Sequence, residues 1–351
     1  MSNFWKNLNK PFFCLAPMAD VTDCAFRQII AKCGSPRPDG RGKPDIFWTE
    51  FVSADGLASA GKEKLLIDLK FSENERPIVA QIFGSKPENI KKAAALCKEL
   101  GFDGVDINMG CPDKSIEKQN SGASMMKNPK LAREIIRSAI EGAGGLPVSV
   151  KTRIGYNKNE IATWIPELLK ENISALTVHL RTRKEMSGVP AHWDLMPEVI
   201  KLRNEINPNV LIIGNGDVVD IDDARRKCKE FGCDGVMLGR AIFGNPFLFA
   251  DCQRAPLTTN FVSKVPFGMH SSKDFSQELS DYERKKLEVM LEHTKLFEEM
   301  LGEHKNFAIM KKHFKAYVNG WDGAKELRVK LMETENAGQV EKIVKDFLGN
   351  I

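Results

Sequence analysis

Gly104-Val-Asp-Ile-Asn-Met-Gly-Cys-Pro112 is the stretch on which the reading of this chain turns. A short apolar strand ends in a turn carrying one cysteine, and the polar, glycine-containing stretch 113–126 separates that turn from a helix expected near Asn128. A strand end fixes a side chain while the loop behind it admits a substrate, so the thiol of Cys111 is a candidate reactive group. The pattern repeats along the chain. Apolar or β-branched runs bounded by Gly, Pro or polar turns predict strands at 13–18, 46–51, 78–83, 104–109, 148–153, 175–181, 210–216 and 235–240. Helical periodicity fills the gaps, as in 87–100, with Ile90, Ala93, Ala94 and Cys97 on one face, and in 132–140, with Ile135, Ile136 and Ala139. Eight β/α units within about 240 residues are the arithmetic of a (β/α)8 TIM barrel. A doubly wound sheet is the alternative, but it would open on a Gly-rich turn after its first strand, where this chain reads Ala16-Pro-Met-Ala-Asp20.

The chain has 351 residues, 42% hydrophobic and 28% charged, which sets aside disordered and fibrous classes. Its net charge of +4 permits a nucleic-acid partner without arguing for one. Cysteines at 14, 24, 33, 97, 111, 228, 233 and 252 form no C-x-x-C pair, as expected of thiols in a reducing cytoplasm. Without a cleavable apolar leader or a membrane-length apolar run, a soluble cytoplasmic protein with no membrane partner is expected. The barrel is expected over 1–250. A linker rich in Pro, Ser, Thr and Lys follows at 251–280, then a helical region at 281–351 whose apolar stripes run through Leu287, Met290, Phe297, Phe307, Met310 and Phe314. Acidic and basic residues balance there, and Lys305, Lys311, Lys312 and Lys315 form its only basic cluster, either a solvated helix face or an RNA contact.

In such a barrel, chemistry collects at the C-terminal ends of the strands. Those ends read Pro17-Met18, Glu50, Gln81, Asn108 with Cys111, Lys151 with Arg153, His179 with Arg181, Asn215 with Asp217, and Gly239 with Arg240. Small or aliphatic residues would stand there if the rim were only structural. The seventh and eighth ends, Gly214-Asn-Gly-Asp217 and Leu238-Gly-Arg-Ala-Ile242, suit a phosphate held by backbone N–H groups with Arg240 as countercharge. Lys151 can neutralise a reduced flavin, Gln81 can bond a planar ring edge, and Pro17-Met18 offers flat apolar backing. Zinc is disfavoured: His179, His192, Cys228 and Cys233 lack ligand spacing, and the two cysteines are expected in the core.

These segments together resemble the tRNA-dihydrouridine synthase family across nearly the whole chain. They are Ala16-Pro-Met-Ala-Asp-Val-Thr-Asp23 with Phe26-Arg27, Thr49-Glu-Phe-Val-Ser-Ala-Asp55, Gln81-Ile-Phe-Gly84, Asp106-Ile-Asn-Met-Gly-Cys-Pro112, Val150-Lys-Thr-Arg153, Thr177-Val-His-Leu-Arg-Thr-Arg183, Asn215-Gly-Asp217 and Gly239-Arg-Ala241. The resemblance implies FMN reduced by NADPH, then reduction of a uridine C5=C6 bond in folded tRNA, hydride passing from flavin N5 to C6 and a proton from Cys111 to C5. Pro17, Met18, Ala19, Gln81, Lys151, His179, Asn215, Gly216, Asp217, Gly239 and Arg240 are then expected to hold FMN, and Asn108 and Arg181 the uridine. The helical region resembles the family's small RNA-binding bundle, and a monomer is expected. Leu180 stands where the family often has Gly, which is expected to narrow the cavity. The stretches 35–45 and 252–280 are longer than in compact bacterial members. Two other readings stay open: an FMN barrel acting on a free small molecule, which has no need of the helical region, and a non-catalytic RNA-binding protein.

Overall fold

Parallel strands close into one barrel in the computed structural model, which describes residues 3–34, 42–250 and 279–349. They are β1 (Phe12–Leu15), β2 (Phe47–Trp48), β3 (Val52–Ser53), β4 (Ile78–Phe83), β5 (Gly104–Met109), β6 (Val148–Arg153), β7 (Ala175–His179), β8 (Leu211–Asn215) and β9 (Gly235–Leu238). The ladder runs β1-β9-β8-β7-β6-β5-β4, β2 and β3 both pair with β4, and a bridge between Cys14 and Ile46 closes the ring. Eight strand positions are therefore present, as the sequence predicts, with the second strand in two pieces. The break has a local cause: the Gln81 N–H donates to Thr49 Oγ1 at 3.0 Å, so a side chain takes the ladder place of a carbonyl. β1 also stops short of the expected Met18, because Pro17 lacks an N–H and that of Met18 donates to Thr22 Oγ1 at 2.8 Å.

The barrel's principal helices are α1 (Cys24–Cys33), α2 (Pro87–Glu99), α3 (Pro129–Ala143), α4 (Ile161–Leu169), α5 (Met196–Ile206) and α6 (Ile221–Phe231). Their starts are written locally. Asp23, Asn128 and Asp220 accept N–H bonds at the N-termini of α1, α3 and α6, and Pro stands in the first turn of α2, α3 and α5. The stretch 113–126 is not one open loop, since it contains a short helix, Lys114–Glu117, and the start of a 3-10 segment, Gly122–Lys127.

Alternation along the strands divides the barrel interior into an apolar bottom and a polar top. Cys14, Ile46, Trp48, Val79, Ala175, Leu211, Ile213 and Met237 fill the lower layers, and Trp5 plugs the N-terminal end with its ring 6.2 Å from Phe12 and 6.1 Å from Trp48. Each such large side chain contributes roughly 1.5–3 kcal/mol on burial, so the bottom holds the barrel shut while the top is free for chemistry.

Four further helices, α7 (Asp281–Leu301), α8 (Met310–Tyr317), α9 (Ala324–Met332) and α10 (Ala337–Gly349), form the C-terminal bundle. Ser280 and Glu283 make a capping box at the start of α7. Leu287, Met290, Phe297, Phe314, Tyr317, Leu327 and Val340 share one core with Cys24, Ala25 and Ile29 of α1, so the stripes are core, and that core extends onto the barrel. The basic cluster does not act as one face. Lys305 is drawn inward to Glu50 and Asp68, each at 2.7 Å, Lys312 pairs with Asp20 at 3.2 Å, and Lys315 is left exposed. Residues 35–41 of the first longer stretch and 251–278 of the expected linker lie outside the described residues. Among the described residues no helix is long and apolar enough to cross a membrane.

Candidate active site

A cavity of about 840 Å³ opens at the C-terminal ends of the strands. Its wall brings together ten of the residues expected there: Pro17, Met18, Lys151, His179, Arg181, Asn215, Gly216, Asp217, Gly239 and Arg240. Ala19 is exposed and outside the wall. Gln81 and Asn108 lie buried beneath it, and Cys111 is half-buried beside Pro112, which does line it. Leu180 does not narrow the cavity. It is fully buried in the barrel's main hydrophobic core, because the alternation that turns His179 to the mouth turns Leu180 away.

Charge is the cavity's main property. Lys151, Arg153, Arg181 and Arg240 line it against one carboxylate, Asp217. Asp217 is spent on two of them, accepting from Arg181 Nη2 on one oxygen and from Arg240 Nη2 at 2.7 Å on the other, and against burial these contacts hold its pKa below the usual range. Lys151 has no ion-pair partner among the described residues, and burial followed by its neighbour Arg153 brings its pKa down to about 8. Among the described residues Arg153 donates only to backbone carbonyls, those of Gly110 (2.8 Å), Thr182 (3.2 Å) and Met186 (3.1 Å). Burial and then the cations Arg153, Lys151, Arg181 and Arg240 press His179 well below its usual pKa, so the ring is neutral and its Nε2 accepts from Arg181 Nη1 at 3.2 Å. Four cations against one lining carboxylate leave the wall net positive.

The loops after β8 and β9 supply backbone to meet it. Among the described residues the N–H groups of Asp217, Arg240 and Ala241 have no hydrogen-bond partner. Gly216 adopts φ +123°, and a Cβ there would come within 2.8 Å of the Ala191 side chain, so only glycine makes this turn. The Asn215 side chain ties the two loops together by donating to the Met237 carbonyl at 2.8 Å.

Cys111 is held by its backbone. Its N–H donates to Asn108 Oδ1 at 2.9 Å, and its carbonyl accepts from Ala123 N at 2.9 Å. Burial raises the thiol pKa against the opposing Asp113 N–H bond, so the group keeps its proton at neutral pH. Arg153, Met186, Ser187, Val218, Val219 and Ala241 line the cavity but were not among the expected site residues. Arg153 was legible, being two residues past Lys151 and so on the same strand face. Met186 and Ser187 carry no local signal, since they arrive on the loop after β7, which Arg183 anchors to Glu117 and Glu185 to His192.

Comparison with known proteins gives a consistent result. The family described as dihydrouridine synthase matches residues 14–351. A protein of Bacillus subtilis named probable tRNA-dihydrouridine synthase 2 is 41% identical over 347 residues, covering 98% of this chain and 96% of the relative. A probable tRNA-dihydrouridine synthase of Staphylococcus aureus is 39% identical over 348 residues, covering 98% and 95%, and one of Staphylococcus epidermidis is 38% identical, covering 98% and 96%.

Proposed function

The chain belongs to the dihydrouridine synthase family, and we propose that it reduces the C5=C6 bond of a uridine in tRNA, with FMN at the barrel mouth and NADPH as reductant. The observation that carries this reading is a half-buried thiol electrostatically coupled to Lys151 and Arg153, neither of which is ion-paired among the described residues. FMN fits the donor set: the free N–H groups of 217, 240 and 241 with Arg240 suit its phosphate, Pro17 and Met18 its ring, and Lys151 the edge that becomes anionic on reduction. Bound FMN would supply the hydride.

The chain's own residues do the rest. C6 of uracil is conjugated through C5 to the C4 carbonyl, so hydride addition at C6 builds negative charge at C5 and O4. Cys111 donates its proton to C5, completing the reduction and leaving a thiolate that Lys151 and Arg153, both electrostatically coupled to it, stabilise. Asn108 and Arg181 are proposed to hold the base. Each is partly committed already, Arg181 to Val189 O at 2.6 Å and to Asp217, Asn108 to the Cys111 turn. The base must leave its stack to enter, at about a few kcal/mol.

The bundle at 281–351 is proposed to bind the tRNA body, with Lys315 and the half-buried Lys311 available for phosphate contact. A monomer in the cytoplasm completes the reading, and the seven free cysteines among the described residues suit a reducing compartment.

The test is an anaerobic visible spectrum of the purified protein, first with NADPH and then with unmodified tRNA. Flavin bands that bleach and then return support the proposal. Bleaching without return on tRNA, or no flavin band even after FMN is added, rejects it.

A further inference from the structure

We propose that Asp106, which neither lines the cavity nor touches Cys111, is the positioning residue that sets the Cys111 turn. The inference rests on the reading of Cys111 as proton donor. Asp106 is fully buried on the inward face of β5, two residues before Asn108, and the ladder places it opposite Gln81 on β4 and Ser149 on β6. Its two oxygens are both used. Ser149 Oγ donates to Oδ1 at 2.6 Å and Gln81 Nε2 donates to Oδ2 at 2.7 Å.

An ionised carboxylate only accepts, so it dictates which end of the Gln81 amide faces it. With Nε2 fixed there, Oε1 turns to Asn108 and accepts from its Nδ2 at 3.1 Å. That in turn leaves Asn108 Oδ1 on the far side, where it accepts the N–H groups of Gly110 at 3.1 Å and Cys111 at 2.9 Å. Flipping either amide would set donor against donor inside the barrel. The carbonyl side of the turn is fixed separately, by Arg153 Nε on Gly110 O and Ala123 N on Cys111 O. The N–H side depends on the relay that begins at Asp106.

A consequence follows for the base. Both lone pairs of Asn108 Oδ1 are spent, so all it can still offer is its second Nδ2 hydrogen, which fits a carbonyl oxygen of uracil and not the N3–H. Gln81 keeps one hydrogen and one lone pair for the ring system above it.

The experiment uses the full-length, FMN-loaded protein as wild type, Asp106→Asn and Asp106→Leu. Two half-reactions are followed separately: bleaching by NADPH, and return of the flavin bands on unmodified tRNA. Asp106→Asn keeps an oxygen for Gln81 and should stay near wild type in both. Asp106→Leu removes the acceptor and should slow the return about 100-fold, as a misplaced reacting group does, with bleaching and tRNA affinity little changed. A readout independent of turnover is alkylation of Cys111 by iodoacetamide, followed on its peptide by mass spectrometry; release of the turn should raise its rate several-fold in Asp106→Leu alone. A wild-type return in Asp106→Leu, or equal slowing of both half-reactions, overturns the proposal. Should the wild type never respond to tRNA, the reaction proposed above fails, and the alkylation series still decides Asp106: no difference between Leu and wild type rejects it. If Asp106→Leu does not fold, Asp106→Ala carries the test, since it also removes the acceptor that fixes Gln81; a selective slowing of the return supports the relay and none overturns it.

Discussion

The barrel mouth and the seam beneath the bundle both bury cations, and they treat them in opposite ways. At the seam Lys305 and Arg27 are both matched. Lys305 sits between Glu50 and Asp68, and Arg27 bonds Glu75 at 2.5 Å while its remaining nitrogens donate to the carbonyls of Thr22 and Lys70 at 2.7 Å. At the mouth, Lys151 and Arg153 form no ion pair among the described residues, and Asp106 and Glu185 act on them without a direct bond. Ion pairs that hold two parts together are complete in the folded chain, whereas a site for an anion is left incomplete until the anion arrives. The two regions also meet. Glu50 accepts the Asp20 N–H at 2.5 Å with one oxygen and Lys305 with the other, so the bundle steadies the turn that carries Pro17 and Met18.

The largest effect expected from breaking the mouth is that of Cys111→Ala. Loss of a general acid should lower tRNA reduction by about 10³-fold while FMN stays bound, read as normal bleaching by NADPH with no return on tRNA. Full activity in that variant would remove the thiol from the mechanism. The matching change at the seam is Lys305→Met, which leaves Glu50 and Asp68 facing each other without their cation. It should cost about 3 kcal/mol of stability, measured by urea unfolding. An unaltered midpoint would show that the seam does not depend on completed pairs.

The sequence shows the mouth far more clearly than the seam. Apolar or β-branched runs between turn signals placed β4, β5 and β6 at 78–83, 104–109 and 148–153, as observed. The loops after β8 and β9 were readable because glycine and a neighbouring cation are local signals. Lys305 and Glu50 are 255 residues apart, and nothing in either neighbourhood marks the other, so the lysine cluster looked like a surface face. The break between β2 and β3 was hidden too, since it depends on the Thr49 hydroxyl meeting one particular N–H on another strand. The Asp106 relay lies between these cases: the spacing of 106 and 108 put both side chains inside the barrel, but their bonding depends on Gln81 and Ser149 from the neighbouring strands.

Lys151→Met sharpens the comparison by removing an unmatched cation. At the seam such a loss exposes two directly paired carboxylates, but here it removes an unbonded attraction to Asp106 together with a cation that burial itself disfavours, so the folded barrel should lose little stability. The cost should appear only with the anion present, as about 2 kcal/mol weaker FMN binding, or roughly 30-fold in Kd, by fluorescence titration. Equal loss of stability and of FMN affinity would make Lys151 a structural cation like Lys305.

The smallest effect concerns two neutral bases at the seam. His293 and His313 are buried with ring centres 4.6 Å apart, and both imidazoles of this pair have nitrogens without a hydrogen-bond partner. Burial, and then His313, lowers the pKa of His293 well below its usual value; burial, and then Lys312, brings His313 down to about 3. A base whose folded pKa is depressed binds its proton more readily in the unfolded chain, so its contribution is intact above about pH 6.5 and is lost as pH falls below that. Asp23, held near 7 by burial and then Glu50, works in the opposite direction and regains stability as pH falls through 7. A comparison with His293→Phe isolates one base. From pH 7.5 to 5.5 the wild type should lose about 1.4 kcal/mol more than the variant, read as the difference between their urea unfolding curves at the two pH values. Parallel loss in both would mean that His293 takes up a proton without leaving the folded seam, and that the seam, like the mouth, accommodates an unmatched cation.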